Sequence, residues 1–453
     1  MRSRCWIARS AAITALCMAA VLAHAPAVRA AEPATADTLL GHYLDTLADS
    51  TDAHFGTLAA PIDTTGLDSS RVYALAHPER WGYRKPKRLS LYPVFDFNRV
   101  DGPVMGAGAK LGAALKLGRV SADWAWAAGP NLSLGSVSYL KSLRLPNEQW
   151  DLKLWGGRAT PAMDPEYQKH ESSTIGAFVS GRGRAHYVRR EGVLARVSRE
   201  GRTERFSVGY RDELESPLAT TATWNLRNKT PVVIGNIPAG FGRAREIGYE
   251  LLWRVPKSPV TAQINHWTSS RSFNSDFEYR RTRVALGADL AIGRVLALVP
   301  QVEYGALTGE AVPQAAFTLG GSHTLRSLPY ATVGGSRLAL AKLDLIMVRN
   351  VFELIHLPNL SPIPMQLGVF GAVGSAWGRD PYTGLVRAGL DWPNAEAWRK
   401  EAGVSLVFQP GIPDPALFVR FNWAHPLGPS NDGGRFSVSI GRGLDLLGKF
   451  ERE

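Results

Sequence analysis

Three groups of residues in this 453-residue chain are of types that chemistry uses. Ser322-His323 and Ser375 offer hydroxyl nucleophiles, one with a base beside it, as a serine hydrolase would need. Neither serine stands in Gly-x-Ser-x-Gly, and a triad is defined by geometry that spacing does not supply. The expectation is therefore a chain that is not an enzyme. Gly106, Gly108 and Gly112 resemble the glycines of a dinucleotide loop, yet no helix follows them. They share parity, so in a strand they lie on one face, opposite Met105, Leu111 and Leu115. The ten histidines show no His-Glu-x-x-His or paired spacing, so neither a metal nor a cofactor is expected.

A larger set of charges alternates with apolar neighbours: Asp151, Glu250, Glu303 and Asp344, with Lys153, Arg205, Arg211, Arg254 and Arg420. That spacing reads as solvated, mutually paired charges lining a wet lumen. A selectivity surface for anionic solutes or head groups is the sharper reading. Either needs strands to carry it, and period two dominates from about residue 89 onward. Phe206, Val208 and Tyr210 oppose Arg205, Ser207, Gly209 and Arg211, and Trp150, Leu152 and Leu154 oppose Asp151 and Lys153. Further stripes are Tyr249, Leu251, Trp253 and Val255; Val284, Leu286, Ala288 and Leu290; Leu417, Val419, Phe421 and Trp423; and Phe436, Val438 and Ile440. A soluble antiparallel sheet alternates apolar-in and polar-out. A membrane barrel inverts this, in segments of about ten residues with aromatic girdles. Roughly seventeen to nineteen such stripes, with few helical patterns to cover them, favour the barrel.

Residues 32–88 differ. Leu39, Leu40, Tyr43, Leu44 and Leu47 fall at helical spacing, and Asp68 or Ser69 could cap a second short helix. This reads as a periplasmic leader or lumen plug. Ahead of it, Arg2, Arg4 and Arg9 precede an uncharged apolar run from Ala11 to Val28, and Val28-Arg29-Ala30 suits cleavage. Residues 1–31 therefore read as a signal peptide. Cleavage there removes four arginines and no acid, leaving 48 basic against 40 acidic groups. It also removes Cys5 and Cys17, the chain's only cysteines, so disulfide scaffolds and thiolate sites are not expected. The longest uncharged stretch beyond it, Leu354 to Gly378, is broken by Pro358, Pro362 and Pro364 and does not read as a membrane helix. A modest basic excess without a cluster implies no nucleic-acid partner.

The C-terminal half carries a resemblance. Phe317-Thr318-Leu319-Gly320-Gly321-Ser322-His323-Thr324-Leu325-Arg326-Ser327-Leu328 is followed by Gly334-Gly335-Ser336-Arg337 and by Lys342-Leu343-Asp344. This resembles the BamA/TamA superfamily of outer-membrane barrels, the bacterial surface antigen family. Phe370 to Trp377 looks like that family's Phe-x-Asp-Ala-Gly strand. Val419 to Leu427 is similar to its penultimate strand, and Gly434 to Gly441, with Phe436, Val438 and Ile440, resembles its closing strand. Asn98-Arg99-Val100-Asp101-Gly102 looks like the Asn-Arg-Val-Glu-Gly of some members. Coverage is specific over 315–443 and architectural over 89–314.

The resemblance implies an all-β fold, a 16-stranded antiparallel transmembrane barrel over 89–443, a tail at 444–453, and residence in the outer membrane of a Gram-negative bacterium. Five strands should follow the long loop, read at 336–347, 365–377, 400–408, 416–424 and 434–441. The loop should fold inside the barrel, its arginine, Arg326, meeting an inner-wall acid, Asp344. The motif's glycine and aromatic are here Ser327 and Leu328, and the family's second acid, on the thirteenth strand, is Ala372. Arg326 is thus expected to pair with Asp344 alone, with Gln366 or backbone carbonyls filling the gap. The implied role is non-enzymatic movement or insertion of polypeptide or lipid, in a short member without POTRA domains. The implied partners are outer-membrane lipid, the barrel assembly machinery for its own insertion, and a periplasmic partner protein. A gated solute channel and a barrel lipid hydrolase are the alternatives.

Overall fold

The computed structural model describes residues 89–112, 118–163, 178, 185–222, 235–256, 258–293, 295–347, 350–354, 365–380, 386–387, 392–408, 417–428 and 433–442. The readings of residues 1–31 as a signal peptide, 32–88 as a leader and 444–453 as a tail concern residues outside the described ones. Sixteen wall strands are present among them. They are β1 Leu89–Asn98, β2 Gly102–Leu111, β3 Arg119–Ala127, β4 Leu132–Leu145, β5 Glu148–Ala159, β6 Arg189–Glu200, β7 Glu204–Ser216 and β8 Gly242–Arg254. Then follow β9 Val260–Ser269, β10 Tyr279–Ala288, β11 Leu296–Gly309, β12 Arg337–Met347, β13 Met365–Arg379, β14 Arg399–Phe408, β15 Leu417–Leu427 and β16 Arg435–Arg442. Each pairs antiparallel with its sequence neighbour, from β1 with β2 to β15 with β16. The last five lie within a few residues of the ranges read from sequence.

This meander has a turn end and a loop end. At the turn end, β4 and β5 are joined at 145–148 and β6 and β7 at 200–204. At the loop end, 160–188, 217–241, 310–336 and 380–398 are long connections. The β1–β2 turn shows how local chemistry sets an end. Asn98 Oδ1 accepts from Val100 N at 3.0 Å and Asp101 N at 2.8 Å, and Gly102 supplies φ +65°. An asparagine that caps its own turn and a glycine that tolerates left-handed backbone are what such a corner needs.

The alternation is resolved by which face is buried. Leu91 is 75% exposed, Met105 60%, Val302 57% and Phe436 61%, whereas Ser207, Asn265 and Asn422 are buried. Phe206, Val208 and Tyr210 on β7, and Tyr249 and Trp253 on β8, all belong to the exposed set. A soluble sheet would have these faces reversed. An apolar band spread over most of the sheet's outer face is stable only against lipid, and in lipid every backbone polar group must pair. This is a transmembrane β-barrel with apolar residues outward. Gly106 and Gly108 sit in its wall: a Cβ on Gly106 would stand 2.0 Å from the Trp124 carbonyl oxygen, and one on Gly108 2.4 Å from Asp123 Oδ1. They allow close strand approach and cradle no phosphate.

A cation placed mid-band should be costly. Val302→Arg, near the middle of β11, is expected to reduce unfolding free energy in lipid vesicles by about 2–4 kcal/mol, against about 0–1 for Thr308→Arg at the strand end. Equal costs at both positions would contradict the placement of the band.

Candidate functional site

The 310–336 connection turns back upon itself. Its arms, Phe317–Leu319 and Val333–Gly335, form a two-stranded hairpin in which Thr318 opposes Gly334. Gly320 and Gly321 follow with φ +115° and +101°, and a Cβ on Gly320 would meet the Pro329 carbonyl oxygen at 1.8 Å. Gly335 passes so close to β13 that its Cβ would lie 2.4 Å from the Trp377 carbonyl oxygen. Three of the four glycines flanking the loop motif therefore answer to backbone geometry. The tip is knotted by its own main chain: Gly321 N donates to the Leu325 and Leu328 carbonyls, each at 3.1 Å, and Gly320 N donates to Thr324 Oγ1 at 2.8 Å.

This knot delivers Arg326 to the inner wall. Its Nη1 and Nη2 donate to Asp344 Oδ1 and Oδ2 at 3.0 and 3.2 Å, a two-pronged pairing with both residues buried. The rigid guanidinium fork matches a carboxylate in this way. Phe370 covers the guanidinium face, its ring centroid 4.0 Å from Cζ. Asp344 is also shared. Arg420 of β15 donates from Nη2 to Asp344 Oδ1 at 2.5 Å and to Ser405 Oγ at 3.1 Å. The alternation had marked Arg420 only as one more wall charge.

Ala372 stands on β13 where the resemblance implied a second acid. The residue paired with it across the ladder is Glu401 of β14, which is buried. Glu401 Oε2 accepts from the backbone N–H of Ser327 at 2.6 Å, one residue beyond Arg326. A second carboxylate therefore stands one strand over from Ala372 and accepts from the main chain, not from the guanidinium. Sequence reasoning missed it because only the register places 401 opposite 372. Two more ties complete the latch: Lys342 Nζ donates to the His323 carbonyl at 2.7 Å, and Arg435 of β16 donates to the Leu328 carbonyl. Of the other closing-strand residues, Phe436 and Val438 face outward. Ile440 opposes Val419, Gly441 opposes Phe418, and Gly434 packs under the Trp423 ring.

The interior is not uniformly wet, which corrects the expectation of a lumen lined by solvated charge. Phe317, Leu319 and Leu325 of the loop pack with Leu338 and Leu340 of β12, Ala376 of β13 and Tyr279 of β10 in one buried cluster. Arg281 closes its edge, with Cζ 4.6 Å from the Phe317 ring and Nε donating to the Ala315 carbonyl at 3.1 Å. The loop brings its own apolar side chains, so the wall facing it is apolar too. Ser322 and His323 lie at the loop tip, whereas Ser375 is buried in β13 opposite Ala339.

The loop end is bound by a second cluster. Arg189 pairs with Asp101 at 2.6 Å, both buried. Asn236 donates from Nδ2 to the Tyr187 and Leu218 carbonyls at 2.9 and 3.0 Å and accepts from Tyr187 N at 2.8 Å. His186 Nδ1 meets Arg99 Nη2 at 2.6 Å and Ile237 N at 3.1 Å. Both neighbours are donors, so the imidazole is neutral with its proton on Nε2. Burial, and then the Arg99 charge, hold its pKa down at about 3. The Asn98–Gly102 turn is thereby locked to the connections before β6 and β8.

Against this geometry stand the known barrels. The solved structure of BamA from Haemophilus ducreyi lacking POTRA domains 1-3 matches over 79% of this chain and 71% of its own, at 12% identity and a TM-score of 0.50. CdiB from Acinetobacter baumannii matches over 79% of this chain and 60% of its own, at 9% identity and a TM-score of 0.40. CdiB from Escherichia coli matches over 79% and 63%, at 10% identity and 0.41. This chain spans less than two thirds of each CdiB chain. No protein-family model matches it, and no curated protein matches it in sequence. At such identities the likeness is one of fold: the chain has the outer-membrane barrel fold seen in BamA.

Removing Asp344 would leave two buried guanidiniums without their carboxylate. Asp344→Ala is expected to cost about 3–5 kcal/mol of unfolding free energy in detergent, read by urea titration; a loss below about 1 kcal/mol would mean the cluster is not closed. His186 gives a pH test. Its folded pKa is below the unfolded value near 6.5, so its contribution is complete above about 6.5 and is lost as pH falls toward about 3. The wild-type urea midpoint should fall between pH 7 and pH 4.5 by more than that of His186→Gln, and parallel declines would contradict the neutral imidazole.

Proposed function

We propose that this protein is a non-enzymatic outer-membrane barrel that moves or inserts polypeptide or lipid, its lumen held in one state by the latched 310–336 loop. The observation that carries this reading is the Arg326–Asp344 fork, at 3.0 and 3.2 Å. A loop tied to β12 and β14, and to β15 through the shared Asp344, is a two-position element. Released, it frees the inner wall that it covers when bound. A passive pore has no use for a loop packed by an apolar cluster against its inner wall, and this argues for translocation over a solute channel. Outer-membrane lipid is the surrounding partner, consistent with the outward apolar band. The barrel assembly machinery would insert the chain, and a periplasmic protein would deliver its cargo.

The test is insertion. Vesicles carrying the full mature chain should accelerate folding of an unfolded outer-membrane barrel into their bilayer, and Arg326→Ala should lose most of the acceleration. An open-pore conductance in the wild type without acceleration would assign it to the channels instead. Phospholipid hydrolysis by the wild type that is lost in Ser322→Ala would assign it to the enzymes.

A further inference from the structure

At the loop end the outer surface carries several arginines, and those of one side are paired. Arg158 meets Glu191 at 2.6 Å, Arg243 and Arg245 share Asp212 at 2.5 and 3.0 Å, and Arg271 meets Glu310 at 2.5 Å. Arg280 of β10, Arg337 of β12 and Arg379 of β13 differ. Among the described residues, none of these three guanidiniums makes a hydrogen bond or an ion pair.

The three stand together. Arg280 lies six residues from the exposed Leu286, and Arg337 six from the exposed Leu343, so both share the outward face of their strands. Each is at or next to the loop end of its strand. Arg337 opposes Ala306 of β11, and Arg280 opposes Thr308 of the same strand from the other side. Two strands and two residues apart, their Cα atoms are separated by roughly 12 Å, a gap that two extended arginine side chains span. Arg379 is exposed, and its backbone N–H donates to Ser336 Oγ at 3.1 Å, which seats it beside Arg337.

The surroundings suit the head of a lipid. Next to Arg280 the outer surface dips into a recess of about 260 Å³, lined by the hydroxyls of Thr268, Ser270 and Thr308. Glu278 lines it too and stands 3.8 Å from Arg271 Nε. On the other side of Arg337, Trp377 opposes it across the ladder. Trp392 packs on Trp377 with ring centroids 5.5 Å apart, and Trp398 lies 5.7 Å beyond. Trp392 is 66% exposed. Such rings settle where acyl chains give way to head groups.

We propose that Arg337 and Arg379, with Arg280 beside them, bind the phosphate group of an outer-leaflet lipid whose chains lie along the outward apolar band. Guanidiniums match phosphate oxygens with paired, charged hydrogen bonds. Arg337 shares its face with Leu343, so its ligand arrives from the bilayer and not through the lumen. The long loops of such barrels are extracellular, which makes the leaflet the outer one. The site is independent of chain insertion, because lipid binding tests it alone.

The experiment counts lipid retained by the full mature chain in native mass spectrometry, after titration in detergent with dioleoylphosphatidic acid. Dioleoylglycerol, which has the same chains without the phosphate, and glycerol 3-phosphate, which has the phosphate without the chains, are the comparisons. Phosphatidic acid should be retained in preference to both. Arg337→Gln and Arg379→Gln should each weaken its retention by roughly tenfold, the loss of one charged hydrogen bond. Arg243→Gln, which removes a cation already paired with Asp212, should leave it unchanged. Unaltered heat-modifiable gel mobility would show that each variant is folded. Three results overturn the proposal: retention of dioleoylglycerol equal to that of phosphatidic acid, binding of glycerol 3-phosphate as tight as that of the lipid, or an equal loss in Arg243→Gln.

Discussion

A guanidinium taken out of water must find a carboxylate. An unpaired buried charge costs several kcal/mol, more than most single contacts in a folded protein return. Arg326 sits at the tip of a loop that could have stayed in solvent, and it is buried only because Asp344 is fixed on β12 to receive it. The rest of the interior follows from that pairing. Gly320 and Gly321 adopt left-handed backbone to make the tip narrow, Phe317, Leu319 and Leu325 fill the space the loop crosses, and Glu401 holds the main chain beside the arginine. Arg420 adds a second positive charge to the same carboxylate, so loss of Asp344 would leave two buried guanidiniums without their carboxylate.

The loop is held by a carboxylate on β14 as well as by the one on β12. A carboxylate on the thirteenth strand and one on the fourteenth reach the same volume when their residues are paired across the ladder. What changes is the ligand: Glu401 binds an amide N–H, leaving Asp344 as the carboxylate beneath Arg326. The fork is then completed from above by Phe370, whose ring face attracts a cation without needing a lone pair.

Much of the fold was legible because period-two alternation survives over so many segments, and the five strands after the long loop could be placed to within a few residues. Alternation alone could not say which face met solvent; Met105, Val302 and Phe436 decide that by lying outward. The pairing of Arg326 with Asp344 was legible from the loop motif. Glu401 and Arg420 were not, since both lie on strands whose register against β12 and β13 no local pattern encodes. The His186–Arg99 and Asn236 contacts were equally hidden, being made between connections far apart in sequence with no shared period. The apolar cluster inside the lumen was missed because its members read as ordinary loop and strand residues until the loop is folded inward.

Asp344 latches the loop inside the barrel through Arg326. Cys5 and Cys17 both precede residue 31, so Ser327→Cys places the only thiol beyond that point at a buried position beside Arg326. The direct measurement is the rate at which a membrane-impermeant maleimide labels that thiol in intact cells, with and without Asp344→Ala. Labelling should be slow with Asp344 present and faster by at least roughly tenfold without it, the minimum expected from losing about 1.4 kcal/mol of closure. Fast labelling in both would contradict it, since the loop would then lie outside whether or not its carboxylate is present.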